Sequence, residues 1–426
     1  MNEQISQQNL RVKLQAIAEK IQKNRYISAI SGGLVGLNPI LIIGAIFSLL
    51  AGISFEPYQE FITSIGLKEI FNIPVTVTLN LLALYAAFSI AYQLAKTYEK
   101  DGFSVGVISL VCFLILIPTT TSEDGWTTFL SFDWLGAKGL FVSMFTAIIV
   151  VKLYNLLIDH GIYFKMPKGV PPMIEKSFAA LTPGFMAILV FCIIRAGFAL
   201  TTYETLPNFI YSIIQQPLSS LGGTWYAMII CVFITNILWF FGIHGSIVVL
   251  SVMSPIWLPL DMANLQAFQS GAAVLPNMFG TTFYIVFSAI GGNGCTMGLA
   301  LNMLRAKSKR FKTLSKMTIL PSIFIIDEPL KFGIPIVLNP KLFIPLVFTP
   351  LICITLAIIA TITGLIPFLN GTQIPVGVPV LGTAFIAGGW KVMLFQAFLI
   401  IISVFCWYPF FKKVDEEELA LEEKEV

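Results

Sequence analysis

Charge is scarce in this 426-residue chain: Asp, Glu, Lys and Arg make up 12% of it, against about 25% in an ordinary soluble domain. Histidine is scarcer still, with only His160 and His244. The six cysteines, at 112, 192, 231, 295, 353 and 406, stand singly in apolar surroundings without a C-x-x-C pair, which excludes a disulfide framework and a thiolate zinc site. They read as small buried hydrophobes. No carboxylates cluster as metal ligands, so no metal or cofactor is expected, and a membrane transferase built on such a cluster is disfavoured. The net charge of +3 lies near the ends of apolar runs, which argues against nucleic acid as a partner.

Long hydrophobic runs fill the space that charge leaves. Residues 26–52, 74–95, 103–118, 139–158, 177–200, 224–254, 278–304, 342–366 and 391–411 are each about long enough to cross a hydrocarbon core of roughly 30 Å as a helix. Barrel strands of about ten alternating residues do not describe them, so the fold class is an all-α integral membrane protein surrounded by lipid.

The first 25 residues are polar and basic, with Leu10, Leu14, Ile17 and Ile21 at amphipathic spacing. They predict a surface helix and lack the short apolar core of a signal peptide. Arg11, Lys13, Lys20, Lys23 and Arg25, then Lys96 and Lys100, then Lys165, Lys168 and Lys176, place their segments in the cytoplasm. The loop 120–134, with Glu123, Asp124 and Asp133 and no basic residue, falls outside. Both termini are expected inside, the last residues as a frayed, solubilising helix. His160, in a cytoplasmic joint after Asp159, reads as a surface residue.

From 205 to 304 the texture changes. Asp261 and His244 are its only acidic, basic or imidazole side chains, while Gly, Asn, Ser, Thr and Pro are plentiful. Stretches such as SPIWLPLDMANLQAFQS and GGNGCTMGLALNM predict broken helices or re-entrant hairpins around a protein-lined cavity, because the backbone groups that Pro and Gly free cannot be satisfied by lipid. RAKSKRFKTLSK, 305–316, then packs in six basic residues. It reads either as a topological anchor or as a docking surface for an acidic or phosphorylated partner. Directly after it, Asp327 and Glu328 precede Pro329 and Lys331 in an otherwise apolar segment, where Pro329 is expected to break the helical ladder and leave carbonyls free to bind. Ionisable residues at membrane depth usually mark a site or pathway. A Glu328–Lys331 ion pair that merely holds a hairpin is the plainer reading.

Two stretches together, NILWFFGIHGS (236–246) and IDEPLKFGIPIVLNP (326–340), with GGNGCTMGLALNML (291–304) as a third, resemble signatures of the enzyme IIC membrane component of the lactose, cellobiose and diacetylchitobiose branch of the bacterial phosphotransferase system. The resemblance runs from about residue 26 to 411. It implies about ten spans with two re-entrant hairpins, a homodimer in the bacterial plasma membrane, and an elevator-like movement of the sugar-binding half. It divides the chain into a dimerisation half (1–204), a sugar-binding transport half (205–411) and a charged cytoplasmic tail (412–426). It implies a permease that binds a β-linked disaccharide and presents its 6-hydroxyl for phosphorylation. The phosphoryl group would come from phosphoenolpyruvate, through IIA and a phosphocysteine on IIB. No Cys here lies in the polar, glycine-rich loop of a IIB domain, so separate IIA and IIB proteins are expected.

The resemblance carries two roles onto this chain: Glu328 as acceptor and general base for the 6-hydroxyl, and His244 as a hydroxyl partner, since a neutral imidazole offers one donor and one acceptor. Trp239 and Trp390 are candidates to stack on sugar rings, with a lipid-interface role open for Trp390. Asn236 and Asn293 either bond sugar hydroxyls or tie helices together. Asp327 stands where the family's usual form has Asn, which bears on which hydroxyls are recognised. The competing function is a proton-coupled secondary sugar transporter, with Asp327 and Glu328 as the relay.

Overall fold

The computed structural model describes residues 2–52, 56–121, 128–130, 132–167, 170–334, 336–375 and 377–424, and only the backbone for 2–11, 49, 120, 121, 128, 172 and 173. Glu123, Asp124 and Lys168, on which part of the topology reading rests, and the side chains of Leu10 and Arg11 lie outside what is described. The described residues are mostly helical, and the strands among them form one short hairpin, β1 (Thr119–Thr121) and β2 (Thr128–Leu130). The helices run α1 (Asn2–Gln22), α2 (Arg25–Val35), α3 (Asn38–Gly52), α4 (Glu56–Ser64), α5 (Leu67–Thr78), α6 (Leu82–Lys96), α7 (Gly102–Leu116), α8 (Leu140–Asp159) and α9 (Pro172–Phe198). There follow α10 (Leu206–Ile210), α11 (Gln216–Gly222), α12 (Trp225–Phe240), α13 (Gly245–Gln269), α14 (Thr281–Ser288) and α15 (Met297–Met303). The last four are α16 (Lys309–Ile323), α17 (Glu328–Gly333), α18 (Pro340–Ile362) and α19 (Val380–Glu422).

Among the described residues, seven helical stretches are long and apolar enough to cross a membrane, eight if α10–α11 and α12, bent by 69°, count as one broken span. The 15-residue α7 is apolar but shorter.

Two compact units emerge. One comprises residues 21–220 with 254–262, the other 1–20, 221–253 and 263–426. In the first, α6 packs against α2, α7 and α8. Its buried stripe of Ala83, Ala86, Ala87, Ile90, Ala91, Leu94 and Ala95 recurs at helical spacing, and small residues let backbones approach closely where no hydrophobic force separates helix from lipid. The crossing with α2 is tight enough that a Cβ at Gly33 would lie 2.7 Å from Ile90. Asn24 and Asp101 cap α2 and α7 by accepting backbone N–H bonds.

In the second unit α12 and α14 lie on α18, and α15 on α19. The core gathers Phe240, Leu299, Met303, Phe311, Leu330, Leu346, Trp407 and Phe411. The run 224–254, read as one span-length stretch, is broken between α12 and α13. Gly242 takes φ +78°, and Gly245 abuts the Thr235 carbonyl so closely that a Cβ has no room. The run 278–304 is likewise broken, into α14 and α15, by a loop in which Gly291, Gly292 and Gly294 and even Cys295 have positive φ. Trp407 Nε1 donates to the Gly294 carbonyl at 3.0 Å and pins that loop to α19.

Three details differ from expectation. SPIWLPLDMANLQAFQS is not broken: α13 is continuous through Pro255 and Pro259. Each proline costs one backbone hydrogen bond, and the helix tolerates the loss because Trp257, Leu258 and Leu260 beside them are buried in packing. Pro329 does not break a helix either, because it lies in the first turn of α17, where no N–H partner is needed. The end of the chain is no frayed tail, since α19 runs on to Glu422 and is held down. Asp415 accepts from Lys307 N–H (2.7 Å), Ser308 N–H (3.1 Å) and Ser308 Oγ (2.7 Å). Glu422 accepts from the N–H groups of Lys309 and Arg310, Glu418 pairs with Arg310, and Glu417 pairs with Lys341. Glu422 thus satisfies free N–H groups of the first turn of α16, and Asp415 those of the two residues just before it.

Of the cysteines, 112, 231, 295 and 353 are buried as expected, while Cys192 is exposed and Cys406 intermediate. His160 is exposed.

Candidate functional site

The break between α12 and α13 sets His244 at the N-cap of α13, where its Nδ1 accepts weakly from Ile247 N–H at 3.4 Å. That contact leaves Nε2 facing Glu328, 3.6 Å from Oε1. Glu328 opens α17, and its side chain is 44% exposed while that of His244 is 37% exposed. Two polar groups thus meet at a surface open enough to receive a ligand. The Trp239 ring packs on the imidazole with centroids 4.6 Å apart.

Beneath them lies an ion pair that the sequence reading assigned to the wrong acid. Lys331 pairs with Asp327, one helical turn back, at 2.6 Å, and not with Glu328. Both side chains are almost wholly buried, 1% and 3% exposed. The contact is a close ion pair whose angles fall short of a hydrogen bond on the ammonium. Thr296 Oγ1 lies 3.4 Å from the same carboxylate oxygen, and Gly292, at φ +120°, presses against Asp327 where any Cβ would overlap it. The ammonium also sits over the Trp239 indole, 3.5 Å from its centroid. The spacing 327–331 was the available signal for this pair, since residues four apart on a helix face each other.

The other candidates divide. Asn293 is half-buried and accepts from Ser246 Oγ at 2.7 Å, which leaves its amide N–H groups. Asn236 is buried inside α12, bonded through Nδ2 to the Val232 carbonyl, with Oδ1 unpartnered. Trp239 is buried as well, with Nε1 unpartnered and one ring face under Lys331, so in this conformation it offers no open platform for a sugar ring. Trp390 is 60% exposed, with Lys391 as its cationic neighbour, and has no contact with the His244–Glu328 pair. It follows Gly388 and Gly389, whose non-helical φ/ψ put a kink in α19. Sequence reasoning passed over Ser246, Thr296 and Gly292 and undervalued Lys331.

Residues 31–350 match the family model "Phosphotransferase system, EIIC". The chain belongs to that family. It is 37% identical to the lichenan permease IIC component of Bacillus subtilis (strain 168), over 97% of this chain and 95% of the relative. It is 35% identical to the cellobiose-specific EIIC component of Geobacillus stearothermophilus, over 96% and 94%. Among solved structures, the transporter ChbC, the IIC component from the N,N'-diacetylchitobiose-specific phosphotransferase system, superposes with a TM-score of 0.91 at 34% identity, covering 97% of this chain and 99% of that one. This EIIC protein is therefore a multi-pass bacterial membrane permease component with the EIIC transporter fold, and its apolar helices are spans. Within the EIIC frame, the broken α12–α13 and α14–α15 elements bring their loops to one polar cluster with the start of α17.

Proposed function

We propose that this EIIC protein binds a β-linked disaccharide of the cellobiose, lichenan-fragment or diacetylchitobiose type and holds its 6-hydroxyl for phosphorylation by a phosphocysteine on IIB. The names of the similar proteins support the sugar class. The observation that carries the chemistry is the partly exposed His244–Glu328 pair, with Nε2 and Oε1 3.6 Å apart. A hydroxyl between the two donates to the Glu328 carboxylate and accepts from the imidazole in its N–H form. As the hydroxyl oxygen bonds to phosphorus and the sulfur–phosphorus bond breaks, the hydroxyl proton passes to Glu328. Phosphoryl transfer depends mostly on positioning and charge stabilisation, so a hydroxyl oriented by a carboxylate suffices. Asn293 supplies amide donors to further hydroxyls. Trp390 joins the sugar after α19 bends at Gly388–Gly389.

In this reading residues 205–411 carry the sugar and 1–204 form the homodimer. The chain makes about ten spans with two re-entrant hairpins, and the sugar-bearing half moves as an elevator. Both termini, and the tail 412–426, are cytoplasmic. The discontinuous helices around the polar cluster support the site, since transporters commonly build midplane sites from such breaks. The test uses vesicles with the protein oriented as in cells and loaded with phosphorylated IIB. They are offered radiolabelled cellobiose, diacetylchitobiose and lactose. Sugar 6-phosphate inside is the expected product. Free sugar accumulated in response to a proton gradient would replace this reading with proton-coupled transport.

A further inference from the structure

The geometry points to Lys331 as a positioning residue for the Glu328–His244 pair, acting as a tethered counter-ion clamped between Asp327 and the Trp239 indole. The inference rests on the proposed function and explains an oddity within it. Asp327 puts a second, buried acid directly beside Glu328. An unpaired buried carboxylate next to the general base would be costly and would repel it. Lys331 removes that difficulty, since its ammonium lies 2.6 Å from Asp327 and both groups are sealed from water.

The ammonium reaches both arms of the site. Asp327 directly precedes Glu328 in the chain, so fixing one carboxylate fixes the backbone that aims the next. On the other side, Lys331 lies 3.5 Å from the Trp239 centroid, and Trp239 in turn packs on His244. A cation over an indole in a desolvated place is held firmly. Thr296 and Gly292 bring the loop after α14 onto the same carboxylate. Three segments, α12, the 289–296 loop and α17, therefore converge on one charge. Lys331 itself is too buried to touch a sugar, so its influence travels through Glu328 and His244.

The test compares wild type, K331M, D327N and the double variant D327N/K331M, each purified and shown monodisperse. The Kd for the tightest-binding member of a cellobiose, diacetylchitobiose and lactose panel is measured alongside the rate of sugar 6-phosphate formation with phosphorylated IIB. Each single change should raise Kd at least tenfold in protein that is folded, and the double variant should recover much of that loss. A purely structural lysine would lower the melting temperature while the folded fraction bound sugar normally. If K331M does not fold, D327N and the double variant carry the comparison. Wild-type Kd in either single variant, or a double variant no better than the worse single, overturns the inference. Wild type that binds sugar but forms no sugar phosphate overturns the proposed function and leaves the Kd comparison standing. If no panel sugar binds, the pair H244C/E328C, bridged by a short bismaleimide with and without K331M, reads the positioning directly. Equal bridging rates would then overturn it.

Discussion

Removing the Asp415 carboxylate should loosen the end of the second unit where α19 meets α16 by an amount the contacts set. The carboxylate is 5% exposed and accepts three hydrogen bonds, two from backbone N–H groups just before α16 and one from the Ser308 hydroxyl. A hydrogen bond to a charged group contributes about 1.5–3 kcal/mol. The three are not additive, because water admitted by Asp415→Ala re-solvates some of the donors, so a net loss of about 2–4 kcal/mol is expected. For a unit of about 200 residues, each kcal/mol moves the melting midpoint by about 2–4 °C, giving a fall of roughly 4–16 °C. Because membrane proteins commonly unfold irreversibly, variants are compared in one detergent at one scan rate. Glu416→Ala is the control, since its contact with Lys412 is 3.8 Å long and exposed, and such pairs contribute about 0–1 kcal/mol. Equal midpoints for Asp415→Ala and Glu416→Ala would refute the reasoning.

Glu328→Gln should lower the rate of sugar 6-phosphate formation more than it weakens sugar binding, because the lost base matters most as the hydroxyl gives up its proton; equal losses would make Glu328 a binding group only. His244→Ala should weaken sugar affinity by about tenfold or more, as a lost hydroxyl partner at about 1.4 kcal/mol or above implies, with the protein still inserted; isothermal titration on purified protein reads it. A cysteine at exposed Lys312 should react with an impermeant maleimide only from the cytoplasmic side, whereas one at Ser308, fully buried, should react from neither. Gly292→Ala should abolish sugar binding, since the new methyl overlaps Asp327 at a backbone φ of +120°, while Gly32→Ala, which meets nothing within 4 Å, should leave binding and melting near wild type.

What could be read from the sequence follows physical lines. Span-length runs announce themselves because lipid demands an unbroken apolar surface, so the helical membrane class was visible, and the glycines of GGNGC marked the break at Gly291–Gly294, whereas the break at Gly242 lay hidden inside a span-length run. The meeting of His244 with Glu328 was legible only through the resemblance, because no local pattern relates two residues 84 positions apart. Lys331 was visible as an odd charge, yet its partner depended on whether α17 begins before or after Asp327, a matter of one residue. Pro255 and Pro259 misled because their effect depends on neighbours that a linear reading lacks. The tail misled for a similar reason: a run of Glu is solvated unless free backbone N–H groups lie opposite, and those belong to residues about a hundred positions earlier.

That last separation has a consequence for how the protein is made. Lys307 and Ser308 are 108 and 107 residues away from the carboxylate that holds them, and Lys309 is 113 away from its own. At about 5–20 residues per second of synthesis, the start of α16 must wait roughly 5–20 seconds, with only its own Ser308 as a cap, before Asp415 and Glu422 leave the ribosome. With the segment on the proposed cytoplasmic side, its six basic side chains have no acidic helix opposite them throughout that interval and face the anionic lipid of the inner leaflet instead. The acidic end of α19 thus arrives as the closing step of assembly, exchanging a lipid contact for a protein one, and a nascent chain halted before residue 415 should remain bound to the membrane through its basic segment.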